Sequence, residues 1–313
     1  MSKFLKRLTF FVFILLPGYV FIIALTHLYA PANFKLNIKF KKGGNGHLYT
    51  RLREANTTKN IDILVLGSSH AYRGVDPRIF YKAGYRLFNL GSSSQTHIQT
   101  EYLVKQYLDK LNPKIVLYEV YPNTLQNDGF ESFIDLASNC QNPFELWKMA
   151  IKINKIPAYN TWIASLIDFN LNEYESFSEL SKNKLDTYIA GGYVEKQIDT
   201  FSHKKQVFQN RLITPKKYQV DAFENVLDYL NQQNIKIVLF QAPITKDYYQ
   251  TIENRKELDK FYQQYVDNEY VNLYINFNNK DHTLNDNFHY YDKHHLNQEG
   301  VEIFNKMLIE EIE

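Results

Sequence analysis

A parallel α/β sheet with helices on both faces is what this sequence predicts, and three observations predict it. Short apolar runs such as Ile63-Leu64-Val65-Leu66 lack the alternation of a half-exposed strand and read as strands covered on both sides. From residue 61 onward such runs alternate with stretches of helical period, the pattern of a doubly wound sheet. The early runs also end on turn residues, Gly67-Ser68-Ser69 and Gly91-Ser92, where an α/β sheet keeps its ligand-binding loops.

Each element has its own reason. Ile61–Leu66 is the first strand and Asp76–Ala83 a short helical stretch. Tyr85–Leu90 is the second strand, closed by Gly91. Thr96–Leu111 carries Tyr102, Leu103, Tyr107, Leu108 and Leu111 at helical spacing and stops before Pro113. Lys114–Val120 is the third strand. Pro215–Gln233 is amphipathic through Val220, Phe223, Val226, Leu227 and Leu230. Ile235–Phe240 is the fourth strand, Glu253–Glu269 a helix and Tyr270–Phe277 the fifth strand. Asn297 is placed to cap the last helix, whose core face is Val301, Phe304, Leu308 and Ile312. The expected strand order is the flavodoxin-like 2-1-3-4-5 in a three-layer α/β/α domain, with Gly67–Arg73 as the loop at the topological switch point.

Outside that pattern lie three segments. Leu8–Ala30 is free of formal charge and long enough to span a bilayer as a helix, with Lys3, Lys6 and Arg7 ahead of it. Residues 1–32 therefore read as a signal-anchor that leaves the body single-pass and extracytoplasmic; Ala30-Pro31-Ala32 offers a cleavage site as the alternative. Residues 33–60 are basic and polar and read as a stalk before the 61–313 domain. Residues 124–214 are too long for a simple crossover and are expected to form an inserted helical cap.

Composition excludes some functions. With 36 basic and 34 acidic residues, the formal charge of +2 argues against a nucleic-acid-binding protein. The single cysteine, Cys140, excludes an internal disulfide and a cysteine-based metal site. The 24 Tyr and 22 Phe point first to an aromatic core.

The loops hold the chemistry. Acyl transfer through serine needs a nucleophile, a base, an orienting acid and donors for an oxyanion. Ser69 follows the first strand, Gly91 the second, Asn123 the third, and Asp292 and His295 the fifth. In a doubly wound sheet these loops meet at one edge. Asp292 and His295 are three residues apart, so the carboxylate can hold Nδ1 of the imidazole while Nε2 faces Ser69.

These residues resemble the blocks of the SGNH (GDSL-type) hydrolase superfamily, in the same order. Gly67-Ser68-Ser69 matches the nucleophile block, with Ser68 in place of its Asp, as in the membrane-anchored branch. Gly91 matches the glycine block. Asn123, in Tyr121-Pro122-Asn123-Thr124, keeps only the asparagine of the third block, and Asp292-Lys293-His294-His295 matches the closing Asp-x-x-His. The resemblance covers 61–123 and 215–313. It implies Ser69 as nucleophile, His295 as base, Asp292 as orienter, and Ser69, Gly91 and Asn123 as the oxyanion hole, with no cofactor. It further implies an esterase or O-acyltransferase acting on an acylated, in the first instance acetylated, cell-envelope glycan, with a membrane-bound acyl donor as a candidate partner.

Several neighbours have plainer expectations. His70, beside the nucleophile, is expected to shape the site, with a substrate contact as the alternative. Arg73 is a candidate substrate contact, or a partner for Asp76. Glu119 is a candidate buried acid. His294 is expected to face solvent. A metal trio of His289, His294 and His295 lacks a carboxylate at ligand spacing, so no metal is expected. The competing functional readings are a non-catalytic envelope protein that binds a glycan or partner enzyme, and a phosphate-binding module; the second lacks a Gly-rich fingerprint or P-loop lysine.

Overall fold

Four parallel pairings build the central sheet of the computed structural model, which describes residues 2–35, 37–171, 177–198, 208–280 and 283–313. In chain order the elements begin with α1 (Ser2–Tyr29), α2 (Leu48–Thr57), β1 (Ile63–Leu66), α3 (Ser69–Gly74), α4 (Pro77–Lys82), β2 (Leu87–Asn89), α5 (His97–Leu111) and β3 (Ile115–Glu119). Next come α6 (Asn123–Gln126), α7 (Phe130–Asn139), α8 (Leu146–Ile153), α9 (Ile156–Asn170), β4 (Lys182–Asn183), β5 (Asp186–Ile189) and β6 (Tyr193–Lys196). The chain closes with α10 (Lys217–Gln232), β7 (Lys236–Gln241), α11 (Lys246–Gln250), α12 (Arg255–Asp267), β8 (Leu273–Asn276) and α13 (Gln298–Ile312).

The sheet order is β2-β1-β3-β7-β8, the expected 2-1-3-4-5 when its strands are counted along the chain. Ile63 stands opposite both Leu87 and Ile115, and Ile115 opposite Lys236. All four residues of β1 are fully buried, as a central strand covered on both faces requires. Each such side chain contributes about 1.5–3 kcal/mol on leaving water. Side chains cap the starts of α5 and α13, the second of them by the residue expected to do so. Thr96 and Gln99 form a reciprocal capping box. Asn297 accepts from Gly300 N–H at 3.0 Å.

The chain divides into two compact units, 1–42 with 133–178 and 43–132 with 179–313. In the first, α1 offers a 27-residue stretch, Lys3–Tyr29, long and apolar enough to cross a membrane, with Pro17 inside the helix. Its partner is α9: Tyr19 Oη donates to Asn160 Oδ1 at 2.5 Å, and Ile23 packs with Ala164 and Ile38. Lys42 and Asp168 pair at 2.9 Å.

The second unit holds the sheet and three features that differ from the sequence expectations. Within 33–60, read as a stalk, lies α2, which buries Leu48, Tyr49, Leu52 and Ala55 on one face. The same face buries Arg51 completely, its Nε on Gly192 O at 2.8 Å and Nη2 on Gly46 O at 2.9 Å. A buried arginine reads as polar in sequence, which hides the helix. Residues 69–74, expected as loop, form α3. The 124–214 stretch is helical only in part; its described residues include an antiparallel sheet, β4-β5-β6. Residues 172–176 and 199–207 of that stretch lie outside the described residues. Gly191 and Gly192 turn this hairpin with φ of 92° and 87°. There Gly191 O accepts from Asn89 N–H at 2.8 Å, and a Cβ on Gly192 would lie 2.1 Å from Asn89 O.

Candidate active site

Ser69 is presented by a turn that only glycine allows. Gly67 has φ of 139°, and a Cβ there would lie 2.6 Å from Glu119 Cβ. The chain then enters α3, with Ser68 as N-cap and Ser69 as the first helical residue. Ser68 and His70 are buried, whereas Ser69 is half-buried.

On the far side, the loop between β8 and α13 closes on itself: Tyr291 N–H donates to His295 O at 3.1 Å. Within that loop Asp292 Oδ1 accepts from the backbone N–H groups of His294 and His295 at 2.9 and 2.8 Å. Its Oδ2 lies 2.7 Å from His295 Nδ1. His295 Nε2 lies 2.8 Å from Ser69 Oγ, across 226 residues of sequence. Tyr291 stacks on the His295 ring, 5.4 Å between centroids and 8° from parallel, which fixes the imidazole plane. Burial alone would raise the Asp292 carboxyl. The His295 hydrogen bond and the nearby imidazoles and N–H groups outweigh it and hold Asp292 well below the usual carboxylate range. Asp292 is therefore an anion facing His295 Nδ1, and His295 Nε2 faces the serine hydroxyl.

Behind this row runs a second one. Glu119, at the end of β3 and 1% exposed, accepts from Ser68 N–H at 2.8 Å and from Ser68 Oγ–H at 2.7 Å, both on Oε2. Burial pushes the Glu119 carboxyl up to about 7. Ser68 Oγ lies 3.1 Å from His70 Nδ1, and His70 Nε2 lies 3.1 Å from His294 Nδ1. Burial holds His70 well below its ordinary value; burial, then His295, brings His294 down to about 3. Glu119 Oε1 stands 3.8 Å from His70 Nδ1, but with the imidazole neutral this is no ion pair.

A third group flanks the imidazoles. The Arg211 guanidinium sits 3.9 Å above the Tyr248 ring, donates to Tyr248 Oη, and reaches Tyr121 Oη at 3.5 Å. Asn123 Nδ2 donates to the same Tyr121 Oη at 3.2 Å, and Tyr121 packs edge-on to His70 at 4.4 Å.

Ser69, Asp292, His295 and His70 thus come together as the sequence reading placed them. Others do not. Gly91 N–H is engaged by Asn89 Oδ1 at 3.0 Å, so it is not a free oxyanion donor. Glycine is needed there for space: a Cβ would meet Ala71 Cβ at 2.9 Å. Asn123 Nδ2 is held by Tyr121 Oη at 3.2 Å and makes no hydrogen bond to the triad, which leaves its expected place in an oxyanion hole a proposal. No hydrogen bond engages Ser69 N–H among the described residues. Arg73 does not pair with Asp76. It forms a bidentate pair with Asp186 of β5 at 3.0 and 2.8 Å, while Asp76 caps α4 and pairs with Arg78. His294 is not turned to solvent; its ring lies 3.9 Å from that of His295 and 5.1 Å from that of His70. His289 accepts from Asn285 N–H and is not part of that group. Sequence reading missed Arg211, Tyr248 and Ser68 as site residues. Arg211 and Tyr248 carry no motif; Ser68 was visible as the departure from Gly-Asp-Ser.

No protein-family model matches the chain, and no curated protein does. Among solved structures, a GDSL-like lipase from Bacteroides thetaiotaomicron is similar at 12% identity, with a TM-score of 0.43 over 85% of this chain and 98% of that one. A Clostridium thermocellum family 3 carbohydrate esterase is similar at 11% identity, with a TM-score of 0.38 over 80% and 94%. The functional reading therefore rests on the site itself.

Proposed function

We propose that this chain is a serine esterase or O-acyltransferase, held at a membrane by α1, that removes or moves acyl groups, acetyl in the first instance, on a cell-envelope glycan. One observation carries the reading: the unbroken line Ser69 Oγ, His295 Nε2, His295 Nδ1, Asp292 Oδ2 at hydrogen-bond distances of 2.8 and 2.7 Å. In the reaction, Ser69 Oγ attacks the acyl carbonyl while His295 takes its proton, and anionic Asp292 stabilises the imidazolium. Ser69 N–H, with the Asn123 amide turned from Tyr121, donates to the oxyanion. His295 then protonates the departing alcohol. Water or a glycan hydroxyl, deprotonated by His295, releases the acyl group from Ser69. The anchor supports a substrate at the membrane surface, with the body extracytoplasmic and the acyl donor a membrane-bound partner.

Reacting the full-length chain in detergent with a fluorophosphonate, and reading the intact mass, tests this. One adduct is expected on the wild type, none on Ser69→Ala, and a much slower one on His295→Ala. An adduct that survives Ser69→Ala overturns it by placing the nucleophile elsewhere, and a wild type that neither labels nor cleaves acetyl esters overturns it in favour of a glycan-binding scaffold.

A further inference from the structure

We propose that His70, His294 and His295 form a site for one divalent transition-metal ion of the zinc type, and that an ion bound there takes the base away from Ser69. The second half rests on the triad reading; the first does not.

Three observations point to an ion. The ligand atoms of the three imidazoles lie within 4.8 Å of one another, and His70 Nε2 and His294 Nδ1 are 3.1 Å apart. Two nitrogens bound tetrahedrally at about 2.0–2.1 Å stand about 3.3 Å apart, so that pair needs almost no movement. Imidazole nitrogens are ligands that zinc, copper and nickel accept.

The second observation lies behind the ring. Metal-binding histidines commonly donate their other N–H to a carboxylate, which fixes the tautomer and raises ligand basicity. Asp292 does this for His295 at 2.7 Å. His70 Nδ1 meets the Ser68 hydroxyl at 3.1 Å, and that hydroxyl donates to Glu119 Oε2 at 2.7 Å, so this carboxylate reaches the ring through one hydroxyl. Those two carboxylates would also balance the charge of the ion.

The third is an orphan. Glu119 Oε1 is buried without a hydrogen-bond partner among the described residues. A cation drawing on the far nitrogen of His70 would polarise Nδ1–H toward Ser68 Oγ and, through that hydroxyl, toward this carboxylate. Ser69 Oγ, or water from the small cavity that Ser69 shares with the three histidines, would complete the coordination as a fourth ligand. The sequence concealed this site because His70 is 224 positions from His294.

The test uses the full-length chain without a histidine tag, stripped with a chelator, and compares wild type with His294→Ala. Alanine keeps the backbone N–H that Asp292 accepts. Calorimetric titration with zinc chloride should give one ion per wild-type chain and at least tenfold weaker binding in the variant. Saturating zinc should slow fluorophosphonate labelling of the wild type at least tenfold and leave that of His294→Ala within twofold. Equal zinc affinity in the two proteins, or no binding by a wild type that labels normally, overturns the site. Zinc that binds but leaves wild-type labelling unchanged overturns the capture of the base. If neither protein labels yet His294→Ala loses zinc, the metal site stands and the triad reading fails.

Discussion

Two buried histidine environments sit in the same unit, and they differ in what stands behind the ring. His97, at the start of α5, is 1% exposed, with Nδ1 2.6 Å from Tyr118 Oη, Nε2 3.2 Å from Thr124 Oγ1, and its ring in T-shaped contact with Phe223. At the switch-point loops, His295 has the Asp292 carboxylate behind it at 2.7 Å, while His70, like His97, meets a hydroxyl, Ser68 Oγ at 3.1 Å, with Glu119 beyond it. Burial lowers the affinity for a proton in both regions, to about 3 at His97 and about 3 at His294. A depressed imidazole is therefore no sign of chemistry. The distinguishing feature is the partner: hydroxyls satisfy a neutral ring and hold it still, whereas a carboxylate prepares the ring to receive a proton or an ion.

The sharpest way to break this contrast is to neutralise the partner of His295. Asp292→Asn should cut the rate of acyl-ester cleavage by about 10⁴-fold without unfolding the chain, as the wrong tautomer does in serine hydrolases. A loss under tenfold would make the carboxylate an ornament of the loop.

The next effect belongs to His97 and appears in stability. The unfolded imidazole gains a proton near pH 6.5, but the folded one stays neutral down to about 3. The unfolded chain thus binds the extra proton between those values, and stability falls as the pH is lowered. At about 1.4 kcal/mol per pH unit, this amounts to at most about 5 kcal/mol. In urea titrations from pH 7 to pH 4, His97→Gln should lose less stability than the wild type, and its labelling at pH 7 should stay within twofold. Parallel stability profiles would remove the neutral buried imidazole.

The smallest effect divides the oxyanion donors. Asn123→Ala should lower the turnover number by about 10²–10³ with KM little changed, the cost of one such donor elsewhere. An unchanged turnover number would leave Ser69 N–H as the donor and make Asn123 a support for Tyr121.

The sheet was legible because its signals are local. Apolar runs such as Ile63–Leu66 and a cap such as Asn297 act within one element, and the order 2-1-3-4-5 follows from alternation and topology. The Ser69–Asp292–His295 set was legible because each member lies on a loop that leaves a strand of the sheet. What was not legible depends on side chains meeting across the fold. Arg51 looks solvated until its partners are the carbonyls of Gly46 and Gly192. Arg73 looks ready for Asp76 until Asp186 arrives from β5. His294 looks like the spare member of a pair until His70 lies beside it. Gly91 looks like an N–H donor in sequence, yet the fold uses it for its missing side chain.

The seat of Gly191 and Gly192 on Asn89 has a consequence away from chemistry. β2 is the edge of the sheet, and an uncovered edge is a template on which a second chain can add a strand. The hairpin turn occupies that edge at Asn89, with Gly192 too close to the strand to carry a side chain. Damage to this turn would be felt first as self-association in solution, with the reactive loops still correctly built in each molecule.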